Sequence, residues 1–128
     1  MEEKVLKQMR RGAITCGMDN KVKEVAQIMV VNKIGYCVVL NENHEVEGII
    51  SSRSILKAFG RDLDEITAAD ILLPYTITIT PNHSLEDAIE LMRQKKIEHL
   101  VVVSDRPGSK AVLGILNAGD IVTRLAEL

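Results

Sequence analysis

The chain has no tryptophan, and its 128 residues include one phenylalanine, Phe59, and two tyrosines, Tyr36 and Tyr75. Three scattered rings cannot supply the row of stacking surfaces that single-stranded nucleic acid requires. An excess of charge is missing too: 16 basic residues stand against 18 acidic ones, a net −2, and neither sign forms a long block. Duplex binding draws on a basic surplus, so nucleic acid is not expected as a main partner. No apolar run approaches the ~18 residues of a membrane span. The opening Met1-Glu2-Glu3-Lys4 lacks the apolar stretch of a secretory signal, and a cytoplasmic location is expected. The two cysteines, Cys16 and Cys37, lie in or beside apolar segments without metal-ligand spacing. Buried, reduced thiols are the expectation, with no metal site and no required cofactor.

What is abundant is aliphatic side chain. Apolar residues make up 46 % of the chain, which excludes disorder and points to a core of Val, Ile, Leu, Met and Ala. The length fits one ordinary domain or two small lobes, burying roughly two-thirds of the unfolded surface.

The chain repeats itself. Shifted by 63 residues, Ile14-Thr15 falls on Ile77-Thr78, Met29 on Met92, Lys33-Ile34 on Lys96-Ile97 and Val38-Val39 on Val101-Val102. A three-residue insertion near Arg106-Pro107-Gly108 raises the offset to 66, and Gly48-Ile49 then meets Gly114-Ile115, and Ile55 meets Ile121. The lead-in segments 5–13 and 68–76 superpose without gaps. The first repeat with its lead-in is assigned to 1–62 and the second to 63–128.

Each copy predicts β-α-β-β-α. Short strands are expected at 13–16 and 75–80, followed by helices with apolar residues at i, i+3, i+4 and i+7: Val22, Val25, Ala26 and Met29, then Leu85, Ala88, Ile89 and Met92. Ser84 and Asp87 stand at capping-box spacing. Near-continuous apolar strands follow at 36–40, 46–50, 99–103 and 111–116, and helices at 52–59 and 118–127 close the copies. A short helix at 67–73, with Thr67 and Asp70 at capping spacing and Pro74 after it, leads into the second copy. One copy alone would leave a sheet face wet, so the two are expected to pack with pseudo-two-fold symmetry into an α/β fold.

These paired repeats, each an apolar double strand, a glycine and a helix opening in Ser/Asn-x-x-Ser/Asp, resemble tandem cystathionine-β-synthase (CBS) domains, two of which form a Bateman module. The resemblance covers essentially the whole chain. It implies adenosine-containing ligands (AMP, ADP, ATP, S-adenosylmethionine) in clefts between the domains, and regulation of a partner enzyme or transporter rather than catalysis. The family motif, Gly-h-x-Ser/Thr-x-x-Asp, places an aspartate on the ribose hydroxyls. The second repeat reads Gly114-Ile115-Leu116-Asn117-Ala118-Gly119-Asp120, keeping the aspartate with Asn in the hydroxyl position. The first reads Gly48-Ile49-Ile50-Ser51-Ser52-Arg53-Ser54, keeping the hydroxyl but losing the acid. By the family pattern a main cleft would combine Ile115, Asn117 and Asp120 with Thr15, Cys16, Tyr36 and Cys37. A weaker one would combine Ser51, Arg53 and Ser54 with Thr78, Ile79, His99 and Leu100.

The chemistry of the motif stands on its own. An ionised carboxylate accepts two hydrogen bonds from a vicinal diol, which a serine hydroxyl does not reproduce. Arg53 in a first helical turn would add a charged contact to a phosphate. Asn117 with Asp120, and Ser51 with Ser54, also suit ordinary helix capping, and a cap is expected to leave one oxygen of Asp120 for a ligand. His99 falls in the place of Tyr36, which favours an exposed strand entry at both, and His99 reads as a partly exposed polar residue or as a phosphate neighbour when protonated. His44 and His83 read as loop residues. There is no Ser-His-Asp pattern, Gly-rich phosphate loop or GxGxxG, so an enzyme is not expected. Val30 and Val31, with Ile55, Leu56, Phe59, Ile121, Val122, Leu125 and Leu128 on the closing helices, suggest a homodimer surface. A ligand-free dimerisation scaffold is the alternative to a sensor.

Overall fold

A computed structural model describes residues 3–73 and 77–128. It contains two compact units, Ile14–Thr76 and a second made of Met1–Ala13 with Ile77–Leu128. These units do not follow the repeat boundary at 62/63: among the described residues, 3–13, assigned by sequence to the first repeat, pack with the second.

In the Ile14–Thr76 unit, β2 (Thr15–Gly17) pairs parallel with β3 (Tyr36–Leu40), and β3 pairs antiparallel with β4 (Val46–Ser51). The parallel pair needs a crossover, supplied by α2 (Val22–Asn32). α2 buries Val22, Val25 and Met29, the spacing that makes one apolar face. Met29 and Val25 meet Cys16, Cys37, Val39, Ile50 and Ala68 in the core. α3 (Ser52–Lys57) and α4 (Ala68–Ile71) complete the unit.

The other unit repeats this order with β5 (Thr78–Ile79), α5 (Leu85–Lys95), β6 (His99–Val103), β7 (Val112–Asn117) and α6 (Ala118–Ala126). The predicted β-α-β-β-α order therefore holds twice. Pro74 and Tyr75, placed by sequence at a helix end and a strand start, lie outside the described residues. α5 buries Leu85, Ala88 and Met92, which meet Val5, Ile79, Leu100, Val102, Leu116 and Ile121. The N-terminal segment adds α1 (Val5–Gln8) and β1 (Arg10–Arg11), giving the sheet order β1-β7-β6-β5.

Each lead-in thus straps the body of the opposite copy, and does so with equivalent bonds. Val5 N–H donates to His83 C=O and Leu6 N–H to Pro81 C=O, while Leu85 N–H donates to Glu3 C=O. In the Ile14–Thr76 unit the counterparts are Ala68 to Asn20, Ala69 to Met18 and Val22 to Ile66. The strap then crosses the sheet at the motif glycine. Arg10 and Arg11 oppose Ile115 and Gly114, and Leu73 opposes Ile49. A Cβ on Gly48 would lie 2.6 Å from the Leu73 carbonyl oxygen, and one on Gly114 would collide with the Arg10 carbonyl. The glycine that opens each Gly-to-helix segment, Gly48 and Gly114, is thus required by the close passage of the strap.

Candidate functional site

In the unit holding the second repeat, β7 runs into α6 at Asn117, whose extended backbone (φ −99°, ψ 149°) caps the helix. Asp120, in the first turn, turns back so that Oδ2 accepts the Asn117 N–H at 3.3 Å. The expectation that capping leaves the second oxygen open is corrected here: Oδ1 accepts both Nε and Nη2 of Arg10, at 3.3 and 3.2 Å. Arg10 arrives from β1, a strand of two residues that pattern reading did not detect. The Asp120 side chain is 16 % exposed and that of Arg10 61 %. Asn117 Oδ1 is buried and accepts no hydrogen bond. The same unit is tied at its N-terminus by Arg124 Nε donating to Glu3 Oε2 at 2.8 Å.

The equivalent junction in the Ile14–Thr76 unit is neutral. Ser54 N–H donates to Ser51 Oγ and Ser51 N–H to Ser54 Oγ, both at 3.2 Å, a reciprocal box that buries Ser54 to 3 % exposure. Arg53 stands exposed beside it. The residue in the place of Arg10 is Leu73.

The strand residues proposed for the clefts fall into two kinds. Thr15 and Thr78 are exposed. Cys16 and Cys37 belong to one unit's hydrophobic core, Ile79 and Leu100 to the other's, and Ile115 is fully buried. Both cysteines are free thiols, and the hydrogen bond to Cys16 together with burial pushes the Cys37 thiol well up, so it stays protonated at neutral pH. Tyr36, expected at an exposed strand entry, is buried opposite Ser51, and half-buried His99 stands opposite Asn117. Burial lowers the His99 pKa below its ordinary value, against the opposing pull of Glu98 and Asp120. Its role as a cation for phosphate is therefore weakened near neutral pH.

Sequence reading did not anticipate two concavities of the Ile14–Thr76 unit. A cavity of about 650 Å³ lies between the turn at Met18–Asn20 and the β3–β4 hairpin, lined by Asp19, Asn41, Glu42 and Glu47. An apolar groove of about 470 Å³ lies between α2 and α3, lined by Met29, Val30, Ile34, Ile55 and Leu56. Among the described residues no cluster of three or more His, Cys, Asp or Glu is placed to hold a metal, and no helix is long and apolar enough to cross a membrane.

Comparison with known proteins agrees with this architecture. The family model described as "CBS domain" matches residues 3–61 and 68–127. An uncharacterised protein of Methanopyrus kandleri is 32 % identical over 116 residues, covering 88 % of this chain, which spans 58 % of that relative's length. The CBS domain pair of protein MJ0100, solved with 5′-methylthioadenosine and S-adenosyl-L-methionine, superposes with a TM-score of 0.88 at 23 % identity, covering 99 % of this chain and 98 % of that one. A CBS domain protein of Pyrobaculum aerophilum, solved with AMP, gives a TM-score of 0.82 at 25 % identity, covering 98 % and 99 %.

Proposed function

The chain belongs to the CBS domain family, and on that premise we propose that it is a regulatory module that binds an adenosine-containing ligand and passes the resulting conformational change to a partner enzyme or transporter. The observation that carries this reading is Asp120: a mostly buried carboxylate at the strand-to-helix junction, where the family motif puts the ribose acid. The N-terminal turn of α6 adds N–H groups suited to a phosphate, and Asn117 offers a buried oxygen that lacks a donor. The AMP complex of the Pyrobaculum relative supports an adenine nucleotide, and the MJ0100 complex keeps S-adenosylmethionine among the probes. The motif of the other copy, with Ser51, Arg53 and Ser54, supplies the weaker site. Calorimetric titration with AMP, ATP and S-adenosylmethionine tests the reading, and silence from all three at millimolar concentration refutes it.

A ligand-free dimerisation scaffold is the second reading, favoured by the reciprocal bonds of Ser51 with Ser54 and the pairing of Asp120 with Arg10. Thermal melts separate the two, because a specific ligand raises the midpoint and a pure scaffold does not respond. Dimerisation itself fits either reading. Val30 and Leu56, 77 and 73 % exposed, line the apolar groove between α2 and α3, Val31 and Phe59 are exposed as well, and a second copy of the chain would cover this apolar surface. Sedimentation of Leu56→Glu as a monomer, against a dimeric parent, is the expected outcome.

A further inference from the structure

We propose that Arg10 selects among adenosine ligands at Asp120, favouring those with an anion on the 5′ carbon of the ribose over neutral or sulfonium-bearing ones. This rests on the reading of Asp120 as the ribose acid. A diol held by both carboxylate oxygens needs Oδ1, and Oδ1 already accepts the Nε and Nη2 of Arg10. Ribose therefore binds by exchange, displacing the guanidinium from its carboxylate. The ion pair itself is a modest barrier: with the guanidinium 61 % exposed, a pair of this kind is worth only about two- to fivefold.

The displaced guanidinium does not go far. Its backbone stays paired on β7 opposite Ile115, with Arg11 opposite Gly114. It remains within side-chain reach of whatever the ligand carries beside the ribose. A phosphate takes the guanidinium fork in place of the carboxylate. A neutral thioether gives it nothing in return, and a sulfonium adds repulsion.

The first repeat serves as an internal control. Where the acid is absent, at Ser54, the strap residue is Leu73. The Leu73 strap makes the same three backbone hydrogen bonds to its unit as the Arg10 strap makes to its own. Seating the strap thus does not require an arginine, and the charge at position 10 accompanies the charge at position 120. Position 119 is glycine, and an added Cβ there would meet nothing within 4 Å, so the first turn of α6 is open at that point.

The test is calorimetric titration of the full chain and of Arg10→Leu, which installs the residue of the other strap. The probes are AMP, 5′-methylthioadenosine and S-adenosylmethionine, which share the adenosine and differ at the 5′ position. The parent should prefer AMP over 5′-methylthioadenosine by about tenfold or more. In Arg10→Leu that preference should shrink by about fivefold, through weaker AMP binding and unchanged or tighter binding of the thioether. Arg10→Lys, which keeps the charge without the fork, should fall between them, and it decides the matter if Arg10→Leu melts early. An AMP preference equal in parent and variants overturns the role of Arg10 while leaving the Asp120 site intact. Absence of binding by all three probes to the parent overturns the site itself.

Discussion

The two units are built on one plan, and the places where they agree separate from the places where they differ. They agree in element order, in the three backbone bonds that seat each strap, and in the glycine that the strap crosses. They also share a left-handed lysine after the first long helix: Lys33 and Lys96 both have φ 54°. Among their differences are two residues that meet within one of the units. Arg10 and Asp120 form an ion pair, while Leu73 and Ser54 hold the same positions without charge. What both copies keep is what the fold requires. What one copy alone has is available for recognition, and substitutions can test each half of that division.

The largest effects should fall on the shared glycines. Gly114→Ala drives a Cβ into the Arg10 carbonyl, and Gly48→Ala drives one to 2.6 Å from the Leu73 carbonyl and 2.8 Å from Leu72 Cδ1. Neither backbone moves away without breaking strap pairing, so each should cost about 2–3 kcal/mol, the upper range for overpacking. Gly114 should be the worse, since its approach is closer. Urea denaturation of both variants checks this, and a mild effect at either position would mean that the straps are loosely held.

Next in size is the contrast in binding. Asp120→Ala removes a charged acceptor and should weaken an adenosine ligand by at least about tenfold, near 1.4 kcal/mol. Ser54→Ala should change affinity little, because that hydroxyl is committed to Ser51. Titration of both variants with AMP is the measurement, and equal losses would erase the asymmetry between the copies.

The features that sequence reading found and those it missed divide along physical lines. The long elements announced themselves, since Val22, Val25 and Met29 recur at helical spacing and again as Leu85, Ala88 and Met92. The straps did not. Four helical residues and two strand residues are too few for any period, and their partners lie far away, as with Arg10 and Asp120 at a separation of 110 residues. The repeat alignment nevertheless held a usable signal: Arg10 falls on Leu73 and Asp120 on Ser54, a paired change of polarity. For the residues expected in the clefts, the strand assignments were legible but the exposures were not. Alternation cannot tell which face of a doubly covered strand stays accessible, and Cys37 and Leu100 proved to be core.

A smaller effect should be equal in both copies. Lys33 and Lys96 adopt the left-handed conformation at the C-terminal ends of α2 and α5, which costs a residue with a Cβ about 1 kcal/mol relative to glycine. Lys33→Gly and Lys96→Gly should each stabilise the fold by somewhat less than that, because glycine also loosens the unfolded chain. Thermal melts with similar upward shifts would place these caps among the shared structural features. A gain in one copy only would mean that the other lysine has a compensating role.

The smallest effect should again separate the copies, now by pH. His99 occupies the place that Tyr36 holds in the first repeat, and burial lowers its pKa from the ordinary value of 6.5, with Glu98 and Asp120 opposing the shift. Because the folded value lies below the unfolded one, the unfolded chain takes up a proton first as pH falls. The associated stability is complete above pH 6.5 and is lost as pH drops from there to the folded value. Other groups titrate in acid as well, Asp70 among them, its pKa held down first by the Thr67 N–H. The informative quantity is therefore a difference. Between pH 7.5 and 5.5, the parent should lose more stability than His99→Gln, while a Tyr36→Phe variant should track the parent's pH dependence. Denaturation at the two pH values decides it, and identical slopes for parent and His99→Gln would remove His99 as the source of the second unit's pH dependence.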